Sequence, residues 1–367
     1  MKYDFTTLYQ REGLDASAVD DIGRSDFAPG APDPGDDVIP MWVADMNFAT
    51  APSITRAIHE RLEHPLFGYF EPRDEYYRKI ISWQEKRNGI TGLEKEQLGY
   101  ENGVLGGVVS ALSVLCKKKG RVLLHVPYYV GFIGTLQRAG YEIVTSKLAQ
   151  DSLGHWRMDF SDMENKMQFG RIDAMIFCSP HNPCGRVWDK WEIEQAMQLC
   201  EQYNIPVVSD EIWSDLILPG YHHIPTQSVS PYARNNTVAL YAPSKTFNLA
   251  GLIGSYHIIY DRELKEKIDR QAAICHYNSM NVLSMYALLG AYSDEGEAWL
   301  EELRDVLQQN MDLACDFLEK NLPELHVSRP EGTYMLFADC EDYMKRTGKS
   351  LADVLHACWK VGVALQD

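Results

Sequence analysis

The chain has 367 residues, enough for two or three domains at roughly 100–200 residues each. Hydrophobic residues make up 45% and charged residues 24%, which excludes intrinsic disorder, collagen-like repeats and a disulfide-dense miniprotein as readings of the whole chain. Thirty-five Lys and Arg against 52 Asp and Glu leave a formal charge of −17, which argues against general nucleic-acid or anionic-membrane binding but leaves room for a local phosphate pocket.

No apolar run is long enough for a transmembrane helix, and Met1 to Phe5 lacks the apolar stretch of a signal peptide. The eight cysteines form no Cys-x-x-Cys pair, and Cys178 with Cys184 makes a poor zinc site. Reduced thiols in a cytoplasmic protein are expected, with no metal.

In chain order, residues 27–37 (FAPGAPDPGDD) are too rich in Pro, Gly and Asp for regular structure. Residues 53–63 and 74–87 have helical periodicity, and 104–116 reads as an apolar helix of small residues. A strand is expected at 121–126, a helix at 131–139, a strand at 174–178 and a helix at 189–203. Strands at 205–209 and 238–241 follow. Short apolar strands separated by helices predict βαβ units and a mostly parallel sheet sandwiched by helices. From about Asp261 long helices dominate, notably 297–320, followed by a strand region at 325–339 and a helix at 350–360. The expected organisation is an N-terminal arm (1–47) packing with the small domain, a large α/β domain (48–289) and a smaller α+β domain (290–367).

Ligands of open α/β sheets sit beyond the carboxyl ends of the parallel strands. Those ends carry Tyr128 and Tyr129 after the first strand and Asn182 within SPHNPCG after the second. They carry Asp210 after the third and Ser244-Lys245 after the fourth. Asn102-Gly103-Val104-Leu105 opens the small-residue helix, where free N–H groups favour a phosphate. Taken singly, Asp210 reads equally as a helix cap, Asn182 as a turn former and Tyr129 as core, with Tyr128 as the alternative stacking ring. Pyridoxal 5'-phosphate needs all of them together. It needs a lysine for a Schiff base, an anion at its pyridine nitrogen, an aromatic face, a donor to its phenolic oxygen and N–H groups for its phosphate.

The run SPHNPCGRVW resembles the Asn-Pro-x-Gly motif of fold-type I pyridoxal-phosphate enzymes, SDEIWSDL their aspartate motif and APSKTFNLAG their lysine motif. With MWVADMNF and PEGTYM, the set most resembles the cystathionine β-lyase or C–S lyase branch of the class I/II aminotransferase-like enzymes. The resemblance implies that Lys245 carries the cofactor, Asp210 faces its pyridine nitrogen and Asn182 donates to its phenolic oxygen. It implies that Tyr129 stacks on the ring, and that Gly103, Val104, Leu105 and Ser244 hold the phosphate. Trp213, where many aminotransferases have tyrosine, fits the lyase branch and is expected in the pocket wall. Tyr69 matches a tyrosine that reaches the phosphate of a neighbouring subunit, which implies a homodimer with shared active sites. Asn47 replaces an aspartate usual in the branch, and Ala242 lacks a hydroxyl found in many relatives.

The implied activity is β-elimination of cystathionine or cysteine-type thioethers to thiol, pyruvate and ammonia, with a lysine base at Cα. An aminotransferase of broad specificity uses the same residues and is the alternative. A regulatory protein that retains the cofactor and binds a transcription factor is a second alternative, because some relatives do so. The resemblance also implies a carboxylate-binding arginine beyond Asp367, so the small domain is expected to be incomplete in this sequence.

Overall fold

The computed structural model of the chain describes residues 1–24, 27–152, 154–275 and 278–367. Its strands are β1 (Ile39–Pro40), β2 (Leu98–Glu101), β3 (Arg121–Val126), β4 (Glu142–Gln150), β5 (Trp156–Met158), β6 (Ala174–Cys178), β7 (Val207–Asp210), β8 (Thr237–Tyr241), β9 (Ser255–Ile258), β10 (His326–Val327), β11 (Ala338–Asp339) and β12 (Val363–Ala364). They fall in two units, one of Thr50–Gln308 with Pro330–Leu336, the other of Met1–Ala49, Gln309–Arg329 and Phe337–Asp367. These bounds differ from the sequence division at 289/290. The helix Asp294–Asn321 begins in the larger unit and ends in the smaller, and helical periodicity does not say which core a helix serves.

The larger unit holds an eight-stranded sheet in the order β2-β9-β8-β7-β6-β3-β4-β5. The central pairs β8/β7, β7/β6, β6/β3 and β3/β4 are parallel. Antiparallel β9, β2 and β5 lie towards the edges. β6 and β8 are buried at every residue, which is why they read as unbroken apolar runs. On one face Val122, Leu124, Ile176, Val208 and Leu240 pack with Val104, Val108 and Leu112 of the helix Gly103–Leu115. Residues of the other parity face the opposite layer, where Met175 meets Cys200 of the helix Lys190–Gln202 and His125 meets Met163 of the helix Phe160–Phe169. β4 and β9, absent from the sequence reading, carry polar residues such as Lys147 and His257 that mask their periodicity.

Two motifs far apart in sequence meet in this unit. Arg186 of SPHNPCGRVW pairs with Glu331 of PEGTYM, both buried, and also reaches Glu192 at 2.7 Å and Asp189 at 2.8 Å. Gly185, at φ +64°, lies against the same strap, and a Cβ there would sit 2.6 Å from Pro330 Cβ. Arg186→Met removes the cation facing buried Glu331 and is expected to destabilise the protein by about 3–5 kcal/mol, read from urea unfolding.

In the smaller unit the N-terminal arm packs on the C-terminal helix Leu351–Lys360. β1 pairs in parallel with β12, Asp33 N–H donates to Lys360 O at 2.9 Å, and Gly30 lies against the Trp359 ring. Gly362, at φ +82°, makes the closest approach, because a Cβ there would fall 1.9 Å from Asp37 O. No described helix is long and apolar enough to cross a membrane.

Candidate active site

Because β3, β6, β7 and β8 are neighbours and parallel, their carboxyl ends line one edge of the sheet. Tyr129 follows β3, Asn182 follows β6 and Asp210 ends β7. Lys245 sits in the single helical turn Pro243–Thr246 after β8, opened by Pro243 with its fixed φ. The sequence spacing thus delivers four separated residues to one edge.

Asp210 is buried, and burial pushes its carboxyl up to about 7; the Ile212 N–H at 3.2 Å and the charge of Lys245 oppose that rise. No ion pair to Asp210 forms among the described residues, so its carboxyl is buried without a salt-bridge partner there. Tyr129 is largely buried, and its phenol is pushed up by burial and by the nearby Asp210. Lys245 Nζ lies 5.9 Å from the centre of the Trp213 ring, and Trp213 meets Tyr334 edge-on at 4.8 Å. Trp213 is 1% exposed, so the wall is apolar and closed behind the lysine. Asn182 is buried beside Tyr128 at a small hollow.

The helix Gly103–Leu115 starts without a side-chain cap, and Gly103 stands at φ +74° with open space where a Cβ would be. Its first N–H groups, those of Gly103, Val104 and Leu105, therefore offer an anion site. Ser244 is half-buried and its carbonyl closes the lysine turn by accepting Leu249 N–H at 2.9 Å. Tyr69 is placed elsewhere, fully exposed in a surface hollow with Arg61, Leu66 and Tyr286.

Sequence reasoning missed the layer behind these residues. Glu211 receives His223 Nε2 at 2.7 Å, Tyr241 O–H at 2.6 Å, Ser209 O–H at 2.9 Å and Thr226 N–H at 3.1 Å, and these donors hold its carboxyl below the usual range despite burial. Glu101 is paired with His257 Nδ1 at 2.8 Å and receives Asn278 Nδ2 at 2.6 Å, while Asn278 Oδ1 accepts the Asn102 N–H at 3.2 Å. Glu211 was detectable as a second carboxylate on a buried strand end; Asn278 carries no local signal. His181, which the sequence left without a role, is buried and held neutral by burial, which pushes its imidazole down to about 3.

Comparison with known proteins bears on the same residues. The family pattern described as Aminotransferase class I and II matches residues 36–366. The chain belongs to the class I and II aminotransferase family. Every strand-end residue above, and the Gly103 helix start, lies inside that match. Cystathionine beta-lyase PatB of Bacillus subtilis is 34% identical over 307 residues, covering 84% of this chain and 79% of that protein. Protein MalY of Escherichia coli is 30% identical, covering 83% of this chain and 77% of MalY. The PLP-bound C–S lyase from Staphylococcus hominis superposes with a TM-score of 0.88 at 31% identity, covering 99% of this chain and 89% of the other. The doubly covered central sheet is therefore the large-domain sheet of a fold-type I enzyme of this family.

Proposed function

We propose that the protein is a pyridoxal-phosphate-dependent carbon–sulfur lyase acting on cystathionine or cysteine-type thioethers. The observation that carries the reading is the single sheet edge shared by Lys245, buried Asp210, Asn182 and Tyr129, next to the uncapped helix start at Gly103. The similarity to PatB and to the S. hominis enzyme supports lyase chemistry. The cofactor fits these residues: buried Asp210, which forms no ion pair among the described residues, would hold a cationic ring nitrogen, and the open space at Gly103 would take a phosphate.

Bound there, pyridoxal phosphate supplies an electron sink for the carbanion formed at the substrate Cα. Lys245 would hold the cofactor, and its amine would take the Cα proton. Asp210 keeps a proton on the ring nitrogen. Asn182 donates to the phenolic oxygen and Tyr129 covers the ring. The N–H groups of Gly103, Val104 and Leu105 and the Ser244 hydroxyl bind the phosphate, and Trp213 walls the pocket. Loss of the Cα proton lets the Cβ–S bond break with its electron pair going to sulfur. The remaining three-carbon fragment takes up water and yields pyruvate and ammonia.

Purified protein incubated with cystathionine or cysteine should give pyruvate and thiol without an added keto acid. Product formed only with a keto acid present would make it an aminotransferase. Gly103→Ala puts a Cβ on a positive-φ residue at the phosphate site. It is expected to weaken cofactor binding about tenfold, measured by fluorescence titration.

Exposed Tyr69 has a role if a second subunit supplies the phosphate it reaches, so the working unit is a homodimer. Mixed refolding of Tyr69→Phe with Lys245→Ala should then restore activity that neither variant has alone. Eight free thiols fit a reducing compartment such as the cytoplasm.

A further inference from the structure

Asp215 lies five residues beyond Asp210 and is buried. Two donors converge on its carboxylate. Trp83 Nε1–H reaches Oδ1 at 3.0 Å and the Thr246 hydroxyl reaches Oδ2 at 3.1 Å. Arg87 Nε stands 3.9 Å from Oδ1, and the Arg87 guanidinium lies over the Trp83 ring while pairing with Glu301. Burial raises the Asp215 carboxyl; Arg87 and the two donors oppose that rise. A buried carboxylate is costly unless its partners are in place.

Thr246 is the residue after Lys245, in a turn of only four residues. Pro243 and Thr246 of that turn are buried, so neighbouring segments fix its side chains. Its downstream end is held by Phe247, whose ring stacks on Trp299 and meets Trp83, and whose carbonyl accepts the Thr50 hydroxyl at 2.6 Å. The turn itself is anchored by the bond from Thr246 to Asp215. The segment 210–215 thus presents Asp210 to the cofactor site, Trp213 to Lys245 Nζ and Asp215 to the lysine turn.

We infer that Asp215 is a positioning residue for Lys245, acting through the Thr246 hydroxyl. The inference rests on the reading of Lys245 as the cofactor-bearing base. Asp215 sets the aim of the Lys245 amine that takes the Cα proton. Asparagine could keep both contacts, its oxygen on the Trp83 N–H and its amide N–H on a Thr246 hydroxyl that then accepts, so the test is placed on Thr246.

Thr246→Val keeps the volume and removes the donor, whereas Thr246→Ser keeps the donor. The valine variant should lose about 10- to 100-fold in kcat with KM within about threefold, the signature of a misplaced group in the chemical step. In the substrate-free holoenzyme, the pH midpoint of the visible cofactor band should move by at least about half a unit, since that midpoint reports the environment of the lysine nitrogen. The serine variant should stay within about threefold of the parent in kcat and keep its midpoint. If Thr246→Val does not fold, Thr246→Ala, which also lacks the donor, should show the same pair of changes. Parent kcat and midpoint in the folded valine variant, or equal losses in valine and serine variants, would overturn the inference alone. A parent protein with no visible band after saturation with pyridoxal phosphate would overturn the lysine reading and this inference with it.

Discussion

Lys245→Ala should lose at least about 10³-fold in turnover of cystathionine, the largest effect expected of any single substitution in this protein. One side chain is asked both to hold the cofactor and to move the Cα proton, so its removal deletes two functions at once. The wall around it offers no substitute: Trp213 is apolar on the side it presents, and the nearby carboxylate Asp210 is the proposed partner of the ring nitrogen. Cofactor binding should survive in weakened form, because the helix start at Gly103, Asn182 and Tyr129 are untouched. Borohydride treatment separates the two functions. In the parent it should add the cofactor mass to the peptide containing Lys245, and in Lys245→Ala it should add nothing. A labelled peptide elsewhere in the chain, or a variant with parent turnover, would remove Lys245 from the mechanism.

The central parallel strands β3, β6, β7 and β8 were legible because burial on both faces makes them short apolar runs. The strand-end rule then pointed to Tyr129, Asn182, Asp210 and Lys245 before any coordinates. β9 was not legible. His257 in its middle breaks the apolar pattern, and it is there to meet Glu101 across the sheet edge. The contact of Arg186 with Glu331 was equally hidden, since 145 positions separate the partners and only the fold joins the two motifs. Asp215 and Thr246 stood inside recognised motifs, yet their bond depends on the way the β7 and β8 ends turn back on each other. Tyr69 is the opposite case: a motif match that the chain leaves exposed, and to which the proposed homodimer would give a role.

Asp210→Asn should separate stability from catalysis. In the cofactor-free protein burial pushes the Asp210 carboxyl up to about 7, against about 3.9 in the unfolded chain. Between those values the folded state binds more protons than the unfolded state. Stability therefore falls as pH rises from about 4 to about 7, by at most ~4 kcal/mol, and stays reduced above that. Asparagine is neutral at every pH and keeps an oxygen for the Ile212 N–H. The cofactor-free variant should match the parent near pH 4 and melt higher than it at pH 8. Saturating pyridoxal phosphate should reverse the order at pH 8, since a protonated ring nitrogen pairs with the parent carboxylate and not with the amide. Turnover of the variant should drop at least about 10²-fold, because an amide does not keep the ring nitrogen protonated. Thermal melting of both proteins, with and without cofactor at pH 4.5 and 8, checks each step. If the two cofactor-free proteins share one pH profile, Asp210 carries no buried charge to relieve; if saturating pyridoxal phosphate also fails to favour the parent at pH 8, its place opposite the ring nitrogen must be given up.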